Sequence, residues 1–381
     1  MHAFQVTDFD CKPTLKDIAT PVPATGEVLL KIHACGLNFA DLLMAKGTYQ
    51  DTPTPPFTLG MEVCGTVVNA NDDVRSPAKG ERVAVFGGDG GLAEYGVFPA
   101  ENCVVVPETM SSEVAAGFFV AYGTSHLALS DRARLQPGET LLVLGAAGGV
   151  GLTAVEIGKA MGATVIAVAR GPEKLGIAKA AGADHLIDSE TADITDAVKA
   201  LGGADVVYDP VGGAGFTAAM RATNRKGRII VIGFASGDVP PIPANIILVK
   251  NIDVLGFYWG GYLKFRPDLV MKSIRELMDM HAAGKLHPHI SHTLSLDQAA
   301  DALDLLVVCV EAGVSLDASM LRVSKDLSGL HRELCYELAQ VVRRIGAGIP
   351  RDRALQQLPV RTGVEELRTL VASMIQSERL G

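Results

Sequence analysis

Residues 141–151 read LLVLGAAGGVG, an apolar run that empties into a loop with glycines at 145, 148, 149 and 151, after which a helical pattern begins. A strand that ends in small residues and opens a helix leaves backbone N–H groups uncovered at the positive end of the helix dipole. A diphosphate can approach the main chain closely there. Against strict G-x-G-x-x-G spacing, Ala146 stands at the first glycine position while Gly148 and Gly151 hold the other two. The loop alone therefore suggests a dinucleotide, and its surroundings have to supply the rest.

Those surroundings are specific. Residues 150–161 have helical spacing, 163–169 are apolar and β-branched, and 172–181 are helical again, with Pro172 suited to a first turn. The alternation continues through strand-like runs at 185–188, 205–209, 228–233 and 252–257 and helical runs at 191–201 and 213–224. Six short apolar runs separated by helices predict an α/β fold with a doubly wound parallel sheet of the Rossmann kind. The residues that follow the second strand then choose the dinucleotide. Enzymes that bind NAD place a carboxylate about 20 residues past the glycines, on the ribose 2′-hydroxyl. Here that place is Ala169, followed by Arg170 and, one turn on, Lys174. A guanidinium and an ammonium pair with a 2′-phosphate, so the expected cofactor is NADPH.

Composition narrows the function further. The 381-residue chain is 48% hydrophobic and 20% charged, long enough for two or three domains. Its net charge of −9 argues against nucleic-acid binding, which needs basic surface to displace counterions. The first residues, MHAFQVTDFDCK, have no basic segment followed by an apolar core, and no apolar run approaches the roughly 18 residues of a bilayer span, so the expectation is a cytoplasmic protein without a membrane partner. Six cysteines at 11, 35, 64, 103, 309 and 335 stand singly with no C-x-x-C pair, and the histidines at 281, 287, 289 and 292 have no ligand spacing; no metal is expected.

Residues 1–120 contrast with the centre. Alternating segments such as 27–32 and 65–69 are broken by prolines, glycines and Asn-Asp pairs, which predicts an antiparallel β domain. The motifs ACGLNFADLLMAKGTY at 34–49, PPFTLGMEVCGTV at 55–67, VAYGTSHLAL at 120–129, LQPGETLLVLGAAGGVG at 135–151 and GKLHPHISHTLSLDQAADAL at 284–303 follow one another in order. With these, residues 1–306 resemble the medium-chain dehydrogenase/reductase superfamily, in its zinc-independent quinone oxidoreductase branch. The resemblance implies a GroES-like catalytic domain over 1–120 and 258–306 and an NADPH-binding Rossmann domain over 121–257. In the zinc alcohol dehydrogenases of that superfamily the position of Asn38 is a cysteine and that of Met61 a histidine, both zinc ligands; an amide and a thioether serve poorly there.

The implied activity is hydride transfer from NADPH to a quinone or an α,β-unsaturated carbonyl, without zinc, the protein chiefly positioning the reactants. By resemblance Asn38 and Tyr49 face the nicotinamide pocket as catalytic candidates, either of them placed to hydrogen-bond a substrate oxygen, with Tyr49 the better proton donor unless water serves instead, or else an aromatic packed under the 53–57 loop. The cofactor cleft is thus expected to hold Ala147, Gly148, Gly149 and Val150 of the loop with Arg170 and Lys174 after it, and the resemblance adds Asn38, Thr124, Gly233, Phe234, Ala235, Phe257 and Trp259, the last two being aromatics of a kind that is often core. It also implies a homodimer joined near 252–257. A cofactor-binding scaffold without turnover, of the lens-crystallin kind, is the alternative within the family.

The resemblance stops after Leu306. Residues 1–308 hold 14 lysines and 10 arginines, whereas 309–381 hold one lysine and nine arginines, with Tyr336 the only aromatic. The stretches DALDLLVVCVEAGVSLDASMLRV, ELAQVVRRIGAGIPRDRALQQL, read as a helical hairpin, and RTGVEELRTLVASMIQSERLG resemble the cytoplasmic helical domain of the type II secretion F and tight-adherence pilus assembly proteins. An all-α extension over 307–381 is expected, with Thr362 to Glu365 a capping box for its last helix. Such an extension implies a helical partner protein, and an assembly component of a secretion or pilus system is the second functional reading. The fusion also removes the strand with which the first family closes its N-terminal sheet, leaving an edge expected to be unpaired.

Overall fold

The structure is a computed structural model that describes residues 1–71, 73–311, 332–346, 351–362 and 371. Its contacts divide the chain into two compact units, Met1–Cys309 and Val310–Gly381.

The first unit begins with antiparallel strands: β1 (His2–Val6), β2 (Thr14–Asp17), β3 (Glu27–Gly36), β4 (Phe57–Thr58), β5 (Glu62–Ala70), β6 (Arg82–Phe86), β7 (Tyr95–Pro99) and β8 (Cys103–Val105), with helix α1 (Phe39–Ala45) after β3. Five strands pair in the order β7-β3-β5-β6-β8 and three in the order β2-β1-β4. Alternate residues build the core of the larger sheet: Val28 and Leu30, Val63 and Val67, Val83 and Val85 all point to one cluster with Phe98. All four residues of β2 are exposed at the edge of the smaller sheet.

Helices α2 (Ser112–Ala116) and α3 (Phe119–Leu127) lead into the alternating region. There β9 (Thr140–Leu144), α4 (Gly149–Ala160), β10 (Thr164–Ala169), α5 (Gly171–Ala180), β11 (His185–Asp188), α6 (Ile194–Ala200), β12 (Ala204–Asp209), α7 (Gly213–Ala222), β13 (Thr223–Val231), α8 (Ala244–Lys250) and β14 (Asp253–Gly256) follow in turn. The six strands are parallel, in the order β11-β10-β9-β12-β13-β14. Both faces are covered, which is why the runs are continuously apolar. Leu141, Val143, Val165, Ala167, Val206, Tyr208 and Ile230 enter one cluster, and their neighbours Leu142, Leu144, Ile166, Val168, Val207 and Ile229 enter the other. Strand order reverses between β9 and β12, which opens a crevice beyond Leu144 and Asp209, where ligands bind in such sheets.

One boundary differs from the sequence reading. The helix expected over 213–224 ends at Ala222, and β13 starts at Thr223 rather than at 228. The Thr223 hydroxyl donates to the Ala219 carbonyl and closes α7 (2.8 Å), while the Asn224 amide donates to Asp205 (2.9 Å). The pairing with β12 then shifts between Ala204 and Val206, beside Lys226 at φ 63.

Helices α9 (Trp259–Phe265), α10 (Pro267–Ala282) and α11 (Ala299–Glu311) follow. The stretch 258–306 is divided between two cores. Val270, Ile274 and Leu277 of α10 enter the cluster that holds Leu141 and Val143, whereas Leu296, Ala299, Leu303 and Leu306 pack with Phe4, Val6, Leu42 and Phe57. Among the described residues no strand follows β14.

In the second unit α12 (Arg332–Gly346) and α13 (Arg351–Thr362) pack on one another as the expected hairpin. Val341, Ala354, Leu355 and Leu358 are buried, and Arg361 reaches Glu337 at 2.6 Å. Thr362 closes α13 through the Leu358 carbonyl; the rest of the expected capping box, 363–365, lies outside the described residues. Among the described residues no helix is long and apolar enough to cross a membrane.

Candidate functional site

The glycine loop lies at the carboxyl end of β9. Gly145 adopts φ 59, the Ala146 N–H reaches the Val168 carbonyl (3.0 Å), and the Gly148 N–H returns to the Gly145 carbonyl (2.9 Å). Gly148 then caps α4 without a side chain, and both Gly148 and Gly149 are exposed. Ala147 and Val150 on either side are half-buried. A Cβ on Gly151 would lie 2.1 Å from the Gly145 carbonyl oxygen, so only glycine lets α4 approach the loop this closely. A Cβ on Gly149 would meet nothing within 4 Å; that position faces open space. The loop thus has the form of a diphosphate cradle, tight behind and open in front.

A hydroxyl network, unread in the sequence, fixes the first turn of α4. Ser125 donates to the Val150 carbonyl (2.9 Å) and lies 2.8 Å from the Thr153 hydroxyl and 2.9 Å from that of Tyr208. Thr124 beside it is buried on α3. Its signal was the polar run YGTSH inside an apolar segment.

Ala169 ends β10, and Arg170 is the N-cap of α5. Its guanidinium pairs with Glu190 at 3.3 Å, while Lys174, one turn on, is half-buried and makes no ion pair among the described residues. Asp188, the nearest carboxylate in the sheet, accepts the N–H groups of Gly171 (3.1 Å) and Glu190 (3.0 Å). Glu190 was not anticipated, since its approach depends on the β10–β11 pairing.

The loop after β13 is pinned to the one after β12. Ala235 N–H donates to the Pro210 carbonyl and Ser236 N–H to that of Val211, both at 3.0 Å, with Gly233 alongside and Phe234 38% exposed. Phe257 and Trp259 are only 8% and 6% exposed. Phe257 packs on Tyr262 and Trp259 on Phe86, with ring centres 5.2 and 5.6 Å apart, so they offer little surface to a ligand. They are core aromatics, and their apolar bulk at the strand ends had left both readings open.

Asn38 caps α1 in extended conformation. Its side-chain amide donates to Glu62 Oε2 (3.2 Å), and its backbone N–H donates to Asp41 Oδ2 (2.8 Å). Both acids are buried, and neither forms an ion pair among the described residues. Burial pushes the Asp41 carboxyl up to about 6 and that of Glu62 up to about 8, against backbone N–H donors that favour the charged forms. Met61 lies buried next to Glu62. Tyr49 packs beside the Phe4, Leu42 and Phe57 cluster, edge-on to Tyr258 at 6.2 Å. Tyr258 donates to Asp51 (2.5 Å) with the Tyr49 hydroxyl 3.4 Å away, and Lys264 pairs with the same carboxylate. Burial raises the Tyr49 phenol above its usual value.

An antiparallel domain that feeds a six-stranded doubly wound sheet, with a glycine loop at the switch point and a polar cap at α1, defines a medium-chain dehydrogenase/reductase. Residues 24–108 match the alcohol dehydrogenase GroES-like domain, residues 149–276 the zinc-binding dehydrogenase family, and residues 302–381 the type II secretion system (T2SS) protein F family. The segment matched to the zinc-binding family contains neither Asn38 nor Met61. A quinone oxidoreductase-like protein 2 homolog from Nematostella vectensis is 40% identical over 289 residues, 74% of this chain and 79% of that one. The quinone oxidoreductase of Thermus thermophilus, solved also in complex with NADPH, is 33% identical with a TM-score of 0.72, covering 81% of this chain and 97% of its own. A mycobacterial protein solved with NADPH is 29% identical with a TM-score of 0.76 over the same shares. The chain belongs to the quinone oxidoreductase family of oxidoreductases and carries a type II secretion protein F domain at its C-terminus.

Proposed function

We propose that the chain reduces quinones or α,β-unsaturated carbonyls with NADPH and without zinc. The observation that carries this reading is the end of β10: Ala169 stands where NAD enzymes place an acid and is followed by Arg170 and Lys174, beside exposed Gly148 and Gly149 at the start of α4. A diphosphate fits the open glycine positions, and a 2′-phosphate fits the two cations. Solved relatives that hold NADPH support the same cofactor. NADPH, when bound, supplies the hydride.

The chain's own residues then bind and polarise the acceptor. Ala147, Gly148, Gly149 and Val150 offer backbone to the diphosphate, and Thr124, Gly233, Phe234 and Ala235 border the crevice. Asn38 hydrogen-bonds the acceptor oxygen, and Tyr49, whose raised pKa keeps it protonated, delivers a proton to the reduced product. Asn38 and Met61, at the positions where zinc enzymes of the superfamily hold the metal, support a mechanism without a Lewis acid.

A second copy is the proposed partner at β14, the outer strand of the parallel sheet, and on α8 just before it in the chain, where Leu248 and Val249 are 77% and 73% exposed. The α12–α13 hairpin is proposed to dock another helical protein.

The test is NADPH oxidation by the purified chain with 1,2-naphthoquinone and with an enone, and with NADH as control. Turnover with NADPH well above that with NADH is expected. No turnover with either acceptor rejects the reductase reading, and equal rates with NADH reject the role of Arg170 and Lys174.

A further inference from the structure

At the end of the parallel sheet opposite the glycine loop, the last turns of α6, α7 and α8 meet the starts of β12 and β13 around a hollow of about 500 Å³, a size within the range of small-molecule sites. Lys199, Arg221, Arg225 and Lys250 line it, and among the described residues no acid does. In a chain of net charge −9 this is a local excess of positive charge. Lys250 is already committed. Its three ammonium hydrogens go to the carbonyls of Met220 (3.0 Å), Arg221 (2.7 Å) and Thr223 (2.7 Å), which offsets the negative end of α7. Lys199, Arg221 and Arg225 are exposed and make no ion pair among the described residues. Lys199 answers the dipole at the end of α6, but Lys250 serves α7 without Arg221, and Arg225 lies in neither helix. Burial and the nearby charge of Lys199 hold the Lys250 ammonium below its usual pKa, so these two cations lie within electrostatic reach of one another. Asp205, the acid that Asn224 of the same hollow reaches (2.9 Å), spends its other oxygen on the Thr140 N–H (2.9 Å).

We propose that this hollow is an anion site, separate from the cofactor crevice, for a small molecule that carries two adjacent phosphates. Arg221 and Arg225 supply the guanidinium forks, Lys199 a third cation, and Lys250 keeps the α7 carbonyls from repelling the ligand. A guanidinium engages two phosphate oxygens at once, so two forks suit two phosphate groups, while an ammonium acts as a point charge beside them. A lone carboxylate leaves most of these cations unmatched. A nucleic-acid backbone needs a longer basic surface than one hollow provides. The site owes nothing to the reductase reading, because its residues lie at the opposite ends of the strands from the glycine loop.

The test is calorimetric titration of the full chain with inorganic pyrophosphate at about 0.15 M salt, where distant surface charges are screened. It is run alone and with NADPH added, since the glycine loop offers a diphosphate a second place. Binding is expected to persist with NADPH present. Lys199→Gln and Arg225→Gln are each expected to raise the Kd about 10-fold, the size of one charged hydrogen bond, while Arg170→Ala leaves it unchanged. Melting temperatures without ligand report that the variants fold, and Arg221→Gln is the substitute for either that does not. Titration with ADP in the presence of NADPH separates the sources of the group: tighter binding than pyrophosphate assigns a nucleotide, and equal or weaker binding a free diphosphate. No pyrophosphate binding, binding displaced by NADPH, or binding that Lys199→Gln and Arg225→Gln both leave unchanged overturns the proposal. Citrate bound as tightly as pyrophosphate overturns its phosphate chemistry. The variants locate the site by themselves, so a failure of NADPH to bind counts against the reductase reading alone.

Discussion

Arg170 and Glu190 meet at 3.3 Å just beyond the ends of β10 and β11, at the rim where the 2′-phosphate of NADPH is proposed to sit. The guanidinium is therefore held in place before cofactor arrives, by an acid that also repels the phosphate. Replacing Glu190 with Gln is expected to tighten NADPH binding severalfold and leave NADH unchanged. Replacing Arg170 with Ala removes a charge-assisted bond of about 1.5–3 kcal/mol and raises the NADPH Kd about 10–100-fold, again without effect on NADH. Fluorescence titration with both cofactors checks each outcome.

Two glycines in the loop separate fold from binding. Gly151→Ala places a methyl 2.1 Å from the Gly145 carbonyl oxygen, so α4 has to move and about 1–3 kcal/mol of stability is expected to go. Gly149→Ala meets nothing within 4 Å and is expected to leave the melting temperature unchanged while weakening NADPH binding, because its methyl stands where the diphosphate approaches. Calorimetric melting beside a binding titration distinguishes the two.

Tyr49 and Tyr258 differ in their expected contributions although their hydroxyls are 3.4 Å apart. The Tyr258 proton is committed to Asp51, so Tyr49 is the proposed donor and Tyr258 its support. Tyr49→Phe is expected to lower kcat about 100-fold, within the usual range for general acid catalysis, and Tyr258→Phe by a small fraction of that. Steady-state kinetics at saturating NADPH checks the order, and a larger loss in Tyr258→Phe contradicts it.

Glu62 makes stability depend on pH. Its carboxyl rises from 4.5 to about 8 on folding, so between those values the folded chain keeps a proton that the unfolded chain has released. The contribution of this group to stability is thus full below 4.5 and is lost progressively as pH climbs toward 8. Glu62→Gln is expected to flatten that part of the profile in urea unfolding measured across the window.

The sheet was legible in the sequence because both faces of its strands are buried, and continuous runs such as 141–144 and 205–209 stand out against their polar flanks. The glycine loop was equally plain, since the close approach of Gly151 to Gly145 demands glycine within a single short stretch of sequence. The start of β13 at Thr223 was not, because it depends on a shifted pairing with β12 and on Asn224 reaching Asp205. Glu62 beside Asn38 and Glu190 beside Arg170 were missed for the same reason. Glu62 meets Phe119 across 57 positions and Glu190 meets Arg170 only through strand pairing, so neither contact has a local signature. An acid inside the apolar run GMEVCG was the available signal for Glu62. Phe257 and Trp259 show the converse, aromatics at strand ends that the packing assigns to the core.

Hydride transfer from NADPH without zinc is tested most directly by dialysing the chain against a strong chelator, measuring its residual zinc, and following NADPH oxidation with 1,2-naphthoquinone. Asn38 and Met61 predict an undiminished rate in the zinc-free protein, with no gain on adding the metal. A rate that disappears with the zinc and returns with it contradicts the account.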